Sequence, residues 1–73
     1  MTDRDQGVMP SDASPVDDRT YDLLQALTSK LEAIEAYEMY AQDDDAGVFD
    51  ELLEDERRHA ERLLQALREA LAA

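Results

Sequence analysis

The chain has 73 residues, and its 7 lysine or arginine residues face 19 aspartate or glutamate residues, giving a formal net charge of −12. This length suffices for one small domain, and domains this small often need a metal, disulfides or oligomerisation for stability. The chain has no cysteine, which excludes disulfides. The acidic balance repels phosphate backbones and argues against a nucleic-acid partner. No run of about 18 apolar residues is present, which argues against a membrane span.

The first 18 residues differ in composition from the rest. They contain both prolines, Pro10 and Pro15, together with five aspartates and few patterned apolar residues. We predict a disordered acidic tail over residues 1–18, followed by a helical domain over residues 19–73. The first ten residues also lack the apolar segment typical of a secretory signal, which favours a cytoplasmic location.

Two amphipathic helices are predicted beyond the tail. The first runs from about Asp18 to Gln42, capped by Asp17 or Asp18, and the second from about Val48 to Ala72. The apolar stripe of the first helix comprises Leu24, Leu27, Leu31, Ile34 and Ala41. The stripe of the second comprises Phe49, Leu52, Leu53, Glu56, His59 or Ala60, Leu63, Leu67 and Ala70 or Leu71. The intervening D-D-D-A-G, residues 43–47, predicts a turn.

A turn this short makes the helices antiparallel neighbours. Counting outward from it, we expect Glu56 level with Ala33 and Ile34, and His59 level with Lys30 and Leu31. A lone hairpin exposes part of each apolar stripe. We therefore predict an all-α fold in which the hairpin pairs with another copy into a four-helix bundle, as a homodimer or a higher homo-oligomer.

Glu56 and His59 form an E-x-x-H pair on the second helix. Both side chains leave the helix one turn apart, and His59 is the only histidine in the chain. In a dimer, two such pairs supply two carboxylates and two imidazoles, a set suited to Fe, Mn or Zn. The spacing is common in glutamate-rich helices, and the alternative is that Glu56 forms a salt bridge with a basic residue.

Two segments resemble the rubrerythrin-like branch of the ferritin-like superfamily. Residues 31–41, L-E-A-I-E-A-Y-E-M-Y-A, look like part of the family's E-x-x-A-x-x-x-Y-x-x-Y-A segment. Residues 49–63, F-D-E-L-L-E-D-E-R-R-H-A-E-R-L, look like its F-x-x-(L/A)-x-x-x-E-x-x-H-A-x-x-L segment. The chain resembles one half of a four-helix family domain, as in the encapsulated ferritins, whose two-helix subunits build a metal site between chains.

The resemblance implies a function and a site. It implies an iron-binding protein with ferroxidase-type activity, and a shell-forming partner protein whose compartment would enclose the chain. Glu56 and His59 carry over as metal ligands, and Tyr37 matches an aromatic position near the site. The helical spacing of Tyr37 and Tyr40 favours a packing role, and the alternative is that their hydroxyls orient Glu56 or His59.

One position departs from the family pattern. Aligning Ala33, Tyr37, Tyr40 and Ala41 places Lys30 where the family has a ligand glutamate. Glu35 and Glu32 are the nearby carboxylates that would compensate as metal ligands. The second interpretation is a metal-free helical assembly or adaptor protein, in which Lys30 replaces the ligand and pairs with Glu56.

Overall fold

The computed structural model describes residues 15–72, which form two α-helices, α1 (Asp18–Ala41) and α2 (Val48–Ala72). The helices pack against each other, which confirms the predicted all-α hairpin. Helix α2 has the predicted bounds, whereas α1 ends one residue before Gln42. Most of the predicted tail lies outside the described residues. The last two residues assigned to it, Asp17 and Asp18, are the cap and the first residue of α1.

Asp17 determines where α1 begins. Its Oδ1 accepts a hydrogen bond of 2.7 Å from the backbone N–H of Thr20, which the first helical turn leaves without a partner. This hydrogen bond holds the pKa of the Asp17 carboxyl below its usual value. Because the pKa is lowered by folding, the cap stabilises the helix above the ordinary aspartate pKa. That contribution is lost as the pH falls through the lowered value.

Asp44 organises the turn and the start of α2. Its Oδ2 accepts hydrogen bonds from the backbone N–H groups of Val48, at 2.8 Å, and Phe49, at 3.1 Å. Its Oδ1 accepts a third from Ala46, at 3.2 Å. Gly47 has a φ of +80°, which glycine adopts without steric cost. One aspartate therefore closes the turn and caps the second helix.

The interior of the hairpin is shallow. Within residues 15–72, the apolar side chains with under a tenth of their surface exposed are Leu53, Ala60, Ala66 and Leu67 of α2. No large side chain in this part of the chain is fully enclosed. Several leucines are at least a third exposed, namely Leu24, Leu31, Leu52, Leu64 and Leu71.

Neither α1 nor α2 combines the length and the apolar character needed to cross a lipid bilayer.

Replacing Asp44 by alanine tests its capping role. We expect D44A to lower the free energy of unfolding by about 1–2 kcal/mol, since the first N–H groups of α2 lose their acceptor. The neighbouring D45A is the matched control and should change stability by less than about 0.5 kcal/mol. Urea denaturation followed by circular dichroism, at equal protein concentration, measures both. Equal stability of the two variants would contradict the role of Asp44.

Candidate metal site

Glu56 lies on the side of α2 that faces α1. Its side chain is 16% exposed, and the Lys30 ammonium Nζ lies 2.9 Å from its Oε1. Lys30 is one helical turn from the expected level at Ala33 and Ile34, a distance that the long lysine stem covers. The structure therefore joins Glu56 to the basic residue that occupies the aligned glutamate position.

The contact between Lys30 and Glu56 is an ion pair without hydrogen-bond alignment. Oε1 of Glu56 is buried, and no donor in residues 15–72 meets it at hydrogen-bonding angles, although Nζ is close. The 2.9 Å separation gives the Glu56 carboxylate a positive counter-charge. A carboxylate oxygen in this state can still accept a ligand, because its lone pairs are not all engaged.

His59 lies on the outside of the hairpin. The residue that packs inward is Ala60, 7% exposed, whereas His59 is exposed. The sequence pattern admitted either residue on the buried stripe. Consecutive helical residues differ by about 100° in direction, so only one of them can face α1. The His59 imidazole has no hydrogen bond or ion pair among the described residues, so it is accessible to a group from another chain.

The other two predicted carboxylate ligands, Glu32 and Glu35, are exposed on α1. No three histidine, aspartate or glutamate residues between positions 15 and 72 are grouped so that they could hold a metal ion. Within one chain, three of the four predicted ligands, His59, Glu32 and Glu35, are therefore exposed and apart. The fourth, Glu56, is largely buried and paired with Lys30.

Tyr37 and Tyr40 pack with Phe49 near the turn. The ring centroids are 5.5 Å apart for Tyr37 and Phe49, 5.3 Å for Tyr40 and Phe49, and 6.1 Å for the two tyrosines. Phe49 is about 10 Å along α2 from Glu56. Neither tyrosine hydroxyl has a hydrogen bond within residues 15–72. Their observed role is aromatic packing, and the predicted role in orienting Glu56 and His59 has no contact within one chain.

A second ion pair crosses the hairpin. Arg57 donates from its guanidinium to Glu38 Oε2 at 2.9 Å. Arg58 pairs with Asp55 on α2 itself. The register expected from the turn puts Arg57 level with Glu32 and Ala33, and the long arginine side chain reaches Glu38 by extending toward the turn.

An apolar groove lies on the side of the hairpin that carries Arg57. It has a volume of about 370 Å³ and is lined by Leu27, Leu31 and Ile34 of α1 and by Arg57, Ala60, Glu61 and Leu64 of α2. Neither Glu56 nor His59 belongs to this lining. His59 and Leu64 point about 140° apart around α2, because they are five residues apart. The groove and the flank that carries His59 are thus separate surfaces.

Replacing Lys30 by methionine tests the ion pair. We expect K30M to lower the free energy of unfolding by about 1–3 kcal/mol, because it leaves the largely buried Glu56 carboxylate without its cation. The double variant K30M/E56L should recover most of that loss, since both charges are gone. R58M, which removes an exposed pair, is the control and should change stability by less than about 1 kcal/mol. Thermal unfolding in the presence of a chelator measures all three. A K30M variant as stable as the wild type would show that Glu56 does not depend on Lys30.

Comparisons of this chain with protein-family models, with curated proteins and with solved structures found no match.

Proposed function

We propose that this chain is a ferritin-like metal-binding subunit that pairs with a second copy into a four-helix bundle. Glu56 and His59 of each copy bind one transition metal, foremost iron, between the two chains. This proposal combines the resemblance of residues 31–41 and 49–63 to rubrerythrin-like segments with the state of the two side chains in the hairpin.

The observation that carries the proposal is the placement of a carboxylate and an imidazole, Glu56 and His59, one helical turn apart on α2. Glu56 is paired only with the Lys30 ammonium, at 2.9 Å, and the exposed His59 imidazole has no hydrogen bond or ion pair within residues 15–72. A two-fold axis near this flank would bring two carboxylates and two imidazoles together.

The donor set of two chains fits a transition metal, whereas that of one chain does not. One glutamate and one histidine leave a metal with too few protein ligands. Two of each give a mixed oxygen and nitrogen set that suits Fe, Mn or Zn. Bound iron would supply one-electron redox chemistry, which is the basis of the ferroxidase activity that the resemblance implies. The protein would contribute the neutral imidazole of His59, the carboxylate of Glu56, and the Lys30 ammonium that limits the negative charge beside it.

A second candidate function is a metal-free helical assembly or adaptor. The 2.9 Å contact between Lys30 and Glu56 favours it, because an ammonium there neutralises the carboxylate that a metal would otherwise neutralise. In this case the hairpin acts only through its surfaces. A shell-forming partner, which the resemblance also implies, is compatible with either function and stays a prediction.

Metal binding by the purified full chain distinguishes the two functions. We expect wild-type protein loaded with Fe(II) without oxygen, and separately with Zn²⁺, to keep about one ion per two chains after desalting. H59A should weaken metal affinity by more than roughly 100-fold, since even loss of a group that only orients a ligand costs about 10–100-fold. E54Q, an exposed carboxylate change on the same helix, should bind as the wild type does. Elemental analysis and native mass spectrometry provide the readouts.

Lys30→Glu separates an incomplete metal site from one that has lost its function. If the wild type holds stoichiometric metal that H59A loses, the metal-free function is wrong. If the wild type holds none and K30E creates binding, the proposed metal function is wrong and Lys30 blocks the site. Equal metal content and equal Fe(II) oxidation in wild type and H59A would also overturn the proposal.

A further inference from the structure

We propose that the groove between α1 and α2 is a docking surface for a second copy of this chain, in which Arg57 of each copy pairs with Glu61 of the other. This goes beyond the proposed function, because it concerns a contact that needs neither Glu56 nor His59. Its failure can therefore be told apart from failure of the metal site.

The groove exposes apolar side chains that would be stabilised by burial against another protein surface. Leu31 is 54% exposed and Leu64 is 36% exposed, and both belong to the groove. The hairpin has few well-buried apolar side chains of its own, so covering these leucines adds substantially to a small interior. Leu24 and Leu71 are also exposed, and helical spacing puts Leu24 seven residues before Leu31 and Leu71 seven after Leu64. The exposed apolar surface thus continues along both helices beyond the groove.

The charges at the groove identify a second copy as its occupant. Arg57 and Glu61 are the two charged residues of the lining, and they lie one turn apart on α2. A two-fold axis that crosses α2 between them brings each Arg57 opposite the other copy's Glu61. Such an arrangement, in which a patch complements itself, is the defining property of a two-fold interface.

The existing ion pairs leave this contact available. Arg57 is held by Glu38 at 2.9 Å, but both side chains are about half exposed, so the pair is weak and can be shared. Glu61 has no ion pair within residues 15–72, although Arg57 is at the helical spacing that often pairs. The structure therefore leaves an unpaired acid beside an accessible base on an apolar surface.

A charge-swap series tests the contact in the full chain. Sedimentation equilibrium in the presence of a chelator measures self-association of the wild type, R57E, E61R and the double variant R57E/E61R. We expect each single change to weaken association by roughly 10-fold or more, because it opposes like charges across the two-fold axis. The double variant should recover association to within about 3-fold, since the reversed pairs are again complementary. It still lacks the contact with Glu38, so recovery cannot come from that pair.

Two controls match the changes in net charge. R58E and E69R alter charge on the exposed surface of α2 outside the groove, and they should associate as the wild type does. L64E should abolish association by placing a carboxylate in the groove, and circular dichroism reports whether each variant is folded. A double variant no better than the singles would overturn the proposal. So would a wild type that stays monomeric, in which case a different partner occupies the groove.

Discussion

The packing of α2 against α1 through small side chains is the constraint on which the other features depend. Ala60 and Ala66 face inward together with Leu53 and Leu67, and small residues let the two helices approach closely. Within residues 15–72, no third helix or strand covers the sides of these two helices. Leucines next to the contact therefore stay exposed, and the charged groups near it are only partly removed from water. The exposed flanks and the half-buried ion pair are consequences of the same shallow interface.

Lys30 and Glu56 illustrate how this shallow interface affects chemistry. Glu56 is buried enough to require a counter-charge, yet it remains close enough to the surface for that charge to be exchanged. In one chain the counter-charge is the Lys30 ammonium. In a pair of chains, a metal ion held with His59 would compete for the same oxygen atom. In the proposed function, the cation that neutralises Glu56 distinguishes a metal-binding chain from one that acts only through its surfaces.

Much of the fold could be predicted from the sequence, because it depends on local signals. The apolar spacing and the D-D-D-A-G turn gave the hairpin, and α2 has the predicted bounds. The orientation of His59 could not be predicted, since the pattern allowed either His59 or Ala60 inside and only packing against α1 selects one. The capping by Asp44 was missed, although its side-chain type is typical of that position. The metal site and the four-helix bundle remain predictions, because both involve a second chain. The family resemblance also remains a prediction, because no match to a known protein supports it.

The antiparallel hairpin also places the first residue of α1 and the last residue of α2 at the same end, away from the turn. Two copies that lie side by side in the same direction could be joined into one continuous polypeptide by a short linker. Copies related by the two-fold axis across α2 run in opposite directions, and a linker would have to span the length of a helix. For the 24 residues of α1 this is about 36 Å, or about 11 extended residues. In a tandem fusion whose second copy begins at Asp17, the shortest linker that preserves function would therefore report the relative direction of neighbouring hairpins.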